Sequence, residues 1–216
     1  MEYRLLGRTG VSVSPRRRLN TDYIDLYQMH RPSVTTDVEE TLGALTDLVH
    51  QGKVRYIGSS SYSASQEDIL PRAQRYGRGT LVYSPLSGGW LTGRWRKDAP
   101  GTPTSAARPS ARFDMSTEAN QRKLGVVEEL APLAERSGMT MIELALAWAI
   151  NHPGVTSAII GPRTMEQLES QLPSVHVTLD TEILDRIDEL VAPGVTLNAD
   201  DNSYGAAELA PQARRR

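Results

Sequence analysis

Apolar positions along this chain follow two rhythms, short unbroken runs and longer stretches in which they recur every three or four residues. The segment from Tyr23 to Pro32, YIDLYQMHRP, is apolar and aromatic in its first half and ends in a polar His-Arg-Pro corner. A run with so little polar relief predicts a strand buried on both faces of a parallel sheet. Lys53 to Ser59, Thr80 to Leu86 and Ser157 to Gly161 have the same character and predict three more core strands. Helical patterns lie between them. Thr36-Asp37-Val38-Glu39 reads as a capping box with the Thr36 hydroxyl as its cap, followed by Val38, Leu42, Leu45 and Val49 on one face and Gly52 as the stop. Residues 118 to 137 predict a helix through Leu124, Val127, Leu130 and Ala134, ended by Gly138. Thr140 to Glu143 forms another capping box, opening a helix that runs to His152-Pro153. Thr164 and Gln167 cap the next helix, and Asp180 starts a last one with Ile183, Leu184, Ile187 and Val191 facing the core. Helix followed by parallel strand is the grammar of βαβ units. At the start, residues 2 to 14 predict a hairpin across the turn Gly7-Arg8-Thr9-Gly10. From Asp98 to Thr117 apolar periodicity fades, which predicts a long loop, either a lid or plain surface.

Composition narrows the class. With 216 residues, 39% hydrophobic and 23% charged, the chain is long enough for one sizeable core and predicts a single domain. A net charge of −2 provides no basic field to draw nucleic acid, and Arg16 to Arg18 and Arg214 to Arg216 read as solvated runs. There is no cysteine, hence no disulfide framework or thiolate metal site, and the histidines at 30, 50, 152 and 176 are too scattered for metal ligation. The N-terminus lacks the apolar core of a signal peptide. The longest helical apolar stretch, Met141 to Ile150, is too short to span a bilayer. A cytoplasmic chain with no nucleic-acid or membrane partner is the expectation.

Four motifs carry the chemistry: LNTDYIDLYQMH, GKVRYIGSSSYSA, LVYSPLSGGWLTG and SAIIGPRTMEQLESQL. In this order, and with MEYRLLGRTGVSVSP before them, they resemble the aldo/keto reductase family across most of the chain. The resemblance implies an α/β fold, the TIM (β/α)8 barrel, and an enzyme that transfers a hydride from NADPH to an aldehyde or ketone. It also implies that the barrel is incomplete, with about four of its eight core strands recognisable. The family pattern breaks after Pro15, where whole strands and helices would follow, and again after Gln66, where one more strand would. Residues 1–15 then form the hairpin, 16–192 the βα units and 193–216 a polar tail. Open sheet edges make self-association possible.

Site residues follow from the same resemblance. His30 matches the histidine beside the substrate carbonyl. Ser60 and Ser61 stand where the family holds the nicotinamide carboxamide, and Tyr83 where an aromatic ring stacks on the nicotinamide. Ser84, Leu86 and Gly88 match the loop that approaches the pyrophosphate, and Arg94 a basic residue after it. Gly161, Arg163 and Gln167 match the group around the adenosine 2′-phosphate, which favours NADP over NAD, and Gln171 stands where the family usually has an asparagine that contacts the adenine. A helix N-terminus beside an arginine suits phosphate on physical grounds as well. The family's acid is a tyrosine tuned by a lysine and an aspartate. Tyr23, Tyr27, Tyr56 and Tyr62 all lack its D-x-A-x-x-Y context. The leading reading is therefore an NADPH-dependent carbonyl reductase, and the alternative a non-catalytic NADP-binding or self-associating fragment. A channel-associated redox sensor of the same superfamily is a third. The substrate would be selected by residues 98–117 and 193–216, which have no chemical signature.

Overall fold

The structure, a computed structural model, describes residues 4–5, 12–13, 21–30, 36–60, 69–98 and 110–201. The chain divides into two compact units, residues 1–63 with 203–216, and residues 64–202.

In the first unit, β1 (Arg4–Leu5) and β2 (Ser12–Val13) pair antiparallel, Arg4 against Val13, as the hairpin pattern predicts. A βαβ unit follows: β3 (Ile24–Met29), α1 (Val38–His50) and β4 (Val54–Ser59), with β3 and β4 parallel from Ile24 against Val54 to Met29 against Ser59. Helix α1 is capped one residue later than the sequence predicts. Asp37, not Thr36, is the N-cap, and its carboxylate accepts the Glu39 amide at 2.8 Å. A carboxylate at that end also answers the helix dipole, which a hydroxyl cannot. The helix ends as expected at Gly52, whose φ of 67° lets Lys53 N–H reach the Leu48 carbonyl at 3.0 Å and Gly52 N–H that of Val49 at 2.9 Å. Its buried stripe is turned by one position from the predicted one: Thr41 and Leu45 are buried, and Leu42 is 46% exposed. Thr41 buries at little cost because its hydroxyl donates to the Asp37 carbonyl at 3.1 Å.

The strands are less enclosed than predicted. Leu26 of β3 is 46% exposed and Tyr56 of β4 is 70% exposed, so β3 is not buried on both faces. Such burial needs neighbouring strands and a layer on each face, and among the described residues this sheet has two strands.

In the second unit, α2 (Ile69–Arg75) leads to β5 (Leu81–Tyr83), then a 3₁₀ stretch at Ser87–Thr92 and another at Ser110–Phe113. Helices α3 (Glu118–Arg136) and α4 (Met141–Ile150) precede β6 (Ser157–Ile159). Helices α5 (Met165–Gln171) and α6 (Thr181–Leu190) follow, and the described chain closes in a 3₁₀ turn at Ala199–Asp201. Strands β5 and β6 are parallel, Leu81 against Ser157 and Tyr83 against Ile159. Strand β5 is shorter than predicted because the backbone leaves the extended region at Ser84, where φ is 54°.

The core of this unit is built on helices and three stacked rings. Trp90 lies 4.0 Å from Trp95, and Phe113 lies 6.1 and 5.8 Å from the two, centroid to centroid. Leu124, Val127, Leu133 and Ala134 of α3, Met141, Leu144 and Ala147 of α4, Leu179, and Ile183 of α6 complete the cluster. Phe113 corrects the reading of 98–117 as a structureless loop. Its second half is a 3₁₀ turn and a helix cap tied to the core by the chain's only phenylalanine. The Thr140–Glu143 capping box forms as predicted. On α6, Ile183 is buried and Ile187 packs on the core, while Leu184, expected inside, is 37% exposed. The i, i+4 pair faces inward and leaves Leu184 on the flank.

Candidate functional site

Register decides what the strand ends bring together. Met29 and Ser59 face each other at the end of β3 and β4, so His30 and Ser60 are the next residues on adjacent strands. Ser60 N–H donates to the Met29 carbonyl at 2.8 Å, and His30 is exposed. Ser61 lies outside the described residues. Below this end, Asp25 and Arg55 pair across the strands at 3.0 Å, with the guanidinium 3.9 Å from the Tyr23 ring centroid.

The second pair repeats the arrangement. Tyr83 and Ile159 face each other at the end of β5 and β6, which sets Ser84 and the Gly161-Pro162-Arg163 corner at the same strand ends. Tyr83 is 54% exposed. The chain then turns tightly, Ser87 N–H donating to the Ser84 carbonyl at 2.8 Å and Gly89 N–H to that of Leu86 at 2.9 Å. Ser84 and Ser87 hold φ values of 54° and 48°, a region that costs a non-glycine residue about 1–3 kcal/mol and concentrates at functional sites. Gly88 and Gly89 continue the turn at φ 71° and 108°, and Arg94 follows it, exposed.

At the start of α5, Thr164 Oγ1 accepts the Gln167 amide at 3.3 Å and Gln167 Oε1 accepts the Arg163 amide at 2.8 Å. These two amides are bonded within the turn, so a phosphate at this corner would rely on the exposed Arg163 guanidinium. Gln171 is buried, and its Oε1 has no hydrogen-bond partner among the described residues.

A cavity of about 210 Å³ opens beside these strand ends, lined by Tyr83, Ser84, Ser87, Arg112, Phe113 and Asp201. Sequence reasoning identified the first two. Arg112 and Phe113 were hidden in a segment read as loop, although a lone Phe just before a helix cap was a signal of anchoring. Asp201 sits in the polar tail, and nothing local in the sequence marks it. Among the described residues no group of His, Asp and Glu is arranged for a metal ion, and no helix is long and apolar enough to cross a membrane.

Parallel strands joined through helices, with the candidate residues at their C-terminal ends, define a protein of the α/β-barrel class. The chain belongs to the aldo/keto reductase family, whose profile matches residues 14–66 and 63–192. The two matched stretches meet beside Gln66, the second break read from the sequence. The chain is 32% identical over 205 residues to an uncharacterised oxidoreductase, YrpG, of Bacillus subtilis, covering 81% of this chain and 60% of that protein. It is 30% identical over 210 residues to a putative voltage-gated potassium channel subunit beta of Schizosaccharomyces pombe, covering 81% and 61%. Among solved structures it resembles a glycerol dehydrogenase from Gluconobacter oxydans, with a TM-score of 0.69 and 26% identity over 83% of this chain and 62% of that one. The chain thus spans 60 to 62% of the length of these relatives. Its fold is the TIM barrel in part, with two pairs of parallel strands, β3 with β4 and β5 with β6, among the described residues.

Proposed function

We propose that this site binds NADPH and serves the reduction of an aldehyde or ketone. The observation that carries the reading is the end of β5. An exposed Tyr83 ring, a left-handed Ser-Gly turn and a cavity of about 210 Å³ come together at the residues that, by resemblance, would face a nicotinamide, and this supports the reading. The residues fit such a group. Tyr83 offers a ring face, Gly88 lets the backbone come close to a pyrophosphate, and Arg163 is a cation suited to the 2′-phosphate that distinguishes NADP from NAD. At roughly 30 Å³ per water, the cavity holds a ring or a small carbonyl compound and not a whole dinucleotide.

The cofactor, when bound, supplies the hydride. The chain's residues orient and enclose. By resemblance His30 directs the carbonyl, and Ser60 steadies the carboxamide. The reading as an oxidoreductase is supported by the relatives YrpG and glycerol dehydrogenase. The second reading, a cofactor-binding chain without turnover, is favoured by the lack of a tyrosine in the D-x-A-x-x-Y context in this sequence.

Thermal unfolding with NADPH, with NADH as control, tests the binding. Ligand at 100 times its dissociation constant adds about 2.7 kcal/mol when it binds only the folded state. NADPH should raise the transition more than NADH, and Arg163→Met should abolish that difference. An unchanged transition with both cofactors would refute the reading. Oxidation of NADPH on adding a small aldehyde then separates turnover from binding alone.

A further inference from the structure

The residues that line the cavity are not equally well fastened. Tyr83 ends β5, Ser84 and Ser87 sit in the tight turn after it, and Arg112 and Phe113 belong to the 3₁₀ stretch at Ser110–Phe113. That stretch is tied to the core. Phe113 is buried in the ring stack, and the Arg112 carbonyl accepts Trp90 Nε1 at 3.3 Å and Lys123 Nζ at 3.4 Å. The remaining lining residue, Asp201, comes from the segment that follows α6.

This segment is attached in another way. Ala192 to Val195 form a turn around Pro193 and Gly194, in which Val195 N–H donates to the Ala192 carbonyl at 3.1 Å and Gly194 holds φ 81°. Residues 192–196 are exposed, and none of the apolar side chains from 192 to 201 is buried. Docking begins at Asn198, 5% exposed, whose Nδ2 donates to Asn120 Oδ1 at 2.8 Å. It ends at Asp201. One carboxylate oxygen lies 2.7 Å from Lys123 Nζ and the other 3.4 Å from Arg112 Nε, while the Arg112 guanidinium also donates to the Asp201 backbone carbonyl. Polar side chains therefore fasten the segment at one end, and a glycine turn gives it a hinge at the other.

We infer that residues 194–201 form a strap that swings on the Pro193-Gly194 turn with Asp201 as its latch, and that the strap gates passage of the cofactor's nicotinamide end into and out of the cavity. Opening pulls no buried apolar side chain of the strap into water, so it is easier than opening the ring stack. Lys123, 7% exposed while the strap is closed, regains water as its carboxylate partner leaves. The gating role rests on the cofactor reading above. The strap itself rests on its attachments alone. A segment that must open before both entry and exit changes two rates together and leaves their ratio in place.

The test uses the full chain and Asp201→Asn in two measurements. Hydrogen exchange followed by mass spectrometry, without cofactor, compares residues 192–201 with Ser110–Phe113 and α4. The native strap should exchange faster than both. Asp201→Asn should speed it by about tenfold and leave the other two segments within about twofold. Stopped-flow fluorescence then follows NADPH. Asp201→Asn should raise its association and dissociation rates by about the same factor, with Kd little changed, and Asp201→Glu should restore the slower rates in part. Lys123→Met with Asp201→Asn removes the buried charge together with its partner, and should show the same fast exchange and paired rates if the single variant fails to fold. Exchange of the strap only in step with Ser110–Phe113 and α4 would overturn the strap. Unchanged NADPH rates, or a rise in dissociation alone, would overturn the gate, since the second result means that Asp201 touches the cofactor directly. Absence of NADPH binding in every variant would refute the gate together with the cofactor reading, and the exchange result would still decide the strap.

Discussion

The two compact units hold themselves together by different means. Residues 64–202 bury a stack of three aromatic rings against α3, α4 and α6, with Trp90 and Trp95 at 1% and 2% exposure. In the first unit Leu45 and Val54 are the apolar side chains buried to that degree among the described residues, and Leu26, Tyr23 and Tyr56 face outward. The difference lies in how each element satisfies its backbone. A helix bonds its own amides and needs a partner for one stripe only, whereas a strand depends on neighbours along both edges and a layer on each face. A barrel carried in part therefore keeps its helical packing and uncovers its sheet.

The largest effect expected from this contrast is at the ring stack. Trp90→Ala removes a side chain that contacts Trp95, Phe113 and Lys123, and should cost about 3–5 kcal/mol. Leu26→Ala, on the exposed face of β3, should stay within about 0.5 kcal/mol. Urea unfolding followed by circular dichroism measures both without relying on the lost tryptophan. Equal costs would mean that the β3 surface is covered in solution, and the comparison between the units would fail.

Next in size is the buried polar link in the second unit. Asn120 is 0% exposed and donates from Nδ2 to the Ala111 and Asp114 carbonyls at 2.9 and 2.8 Å, while its Oδ1 accepts from Asn198. Asn120→Ala strands those groups away from water and should lower stability by about 1–3 kcal/mol. The same urea experiment reads it, and a neutral result would show that water reaches the site.

The places where the sequence was legible share a physical cause. Capping boxes, glycine stops and the apolar periodicity of α3 act within a few residues, so Thr140 with Glu143 and the stop at Gly52 could be read directly. Strand ends were legible as well, because polar or glycine corners interrupt the apolar runs, and these corners are where His30, Ser60, Tyr83 and Arg163 sit. What stayed hidden depends on contacts far along the chain. Asp201 meets Lys123 across 78 residues and Arg112 across 89, and no local pattern announces such a pairing. Burial of β3 was overstated because a run of apolar residues records the sheet that the family builds, whereas among the described residues β3 pairs with β4 alone.

Helix caps sharpen the comparison at smaller scale, since they hold whether or not a sheet is complete. Thr140→Ala should cost about 1 kcal/mol. In α1 the same penalty should follow Asp37→Ala, while Thr36→Ala should be near neutral, because Asp37 holds the cap. Thermal denaturation of the three variants checks the order. A loss at Thr36 as large as at Asp37 would restore the cap that the sequence suggested.

The smallest effect lies at the turn that leads into α3. The Ser116 hydroxyl and the Ser116 backbone amide both bond the Asp114 carboxylate, the amide at 2.9 Å, and together they hold its pKa below the ordinary aspartate value. A carboxylate whose pKa falls on folding stabilises the folded state fully above its unfolded pKa, near 3.9, and loses that stabilisation as pH drops through the lowered value. The contribution should therefore be present at neutral pH and disappear only in acid. Asp114 is solvent-exposed, so the shift should be read by NMR titration of its carboxyl carbon and not as a stability change. Ser116→Ala removes the larger of the two causes and should raise the Asp114 pKa part of the way back, leaving the amide bond in place. An unchanged titration in that variant would mean the backbone amide alone sets the charge. The turn would then depend on the chain's path into α3 and not on the serine side chain.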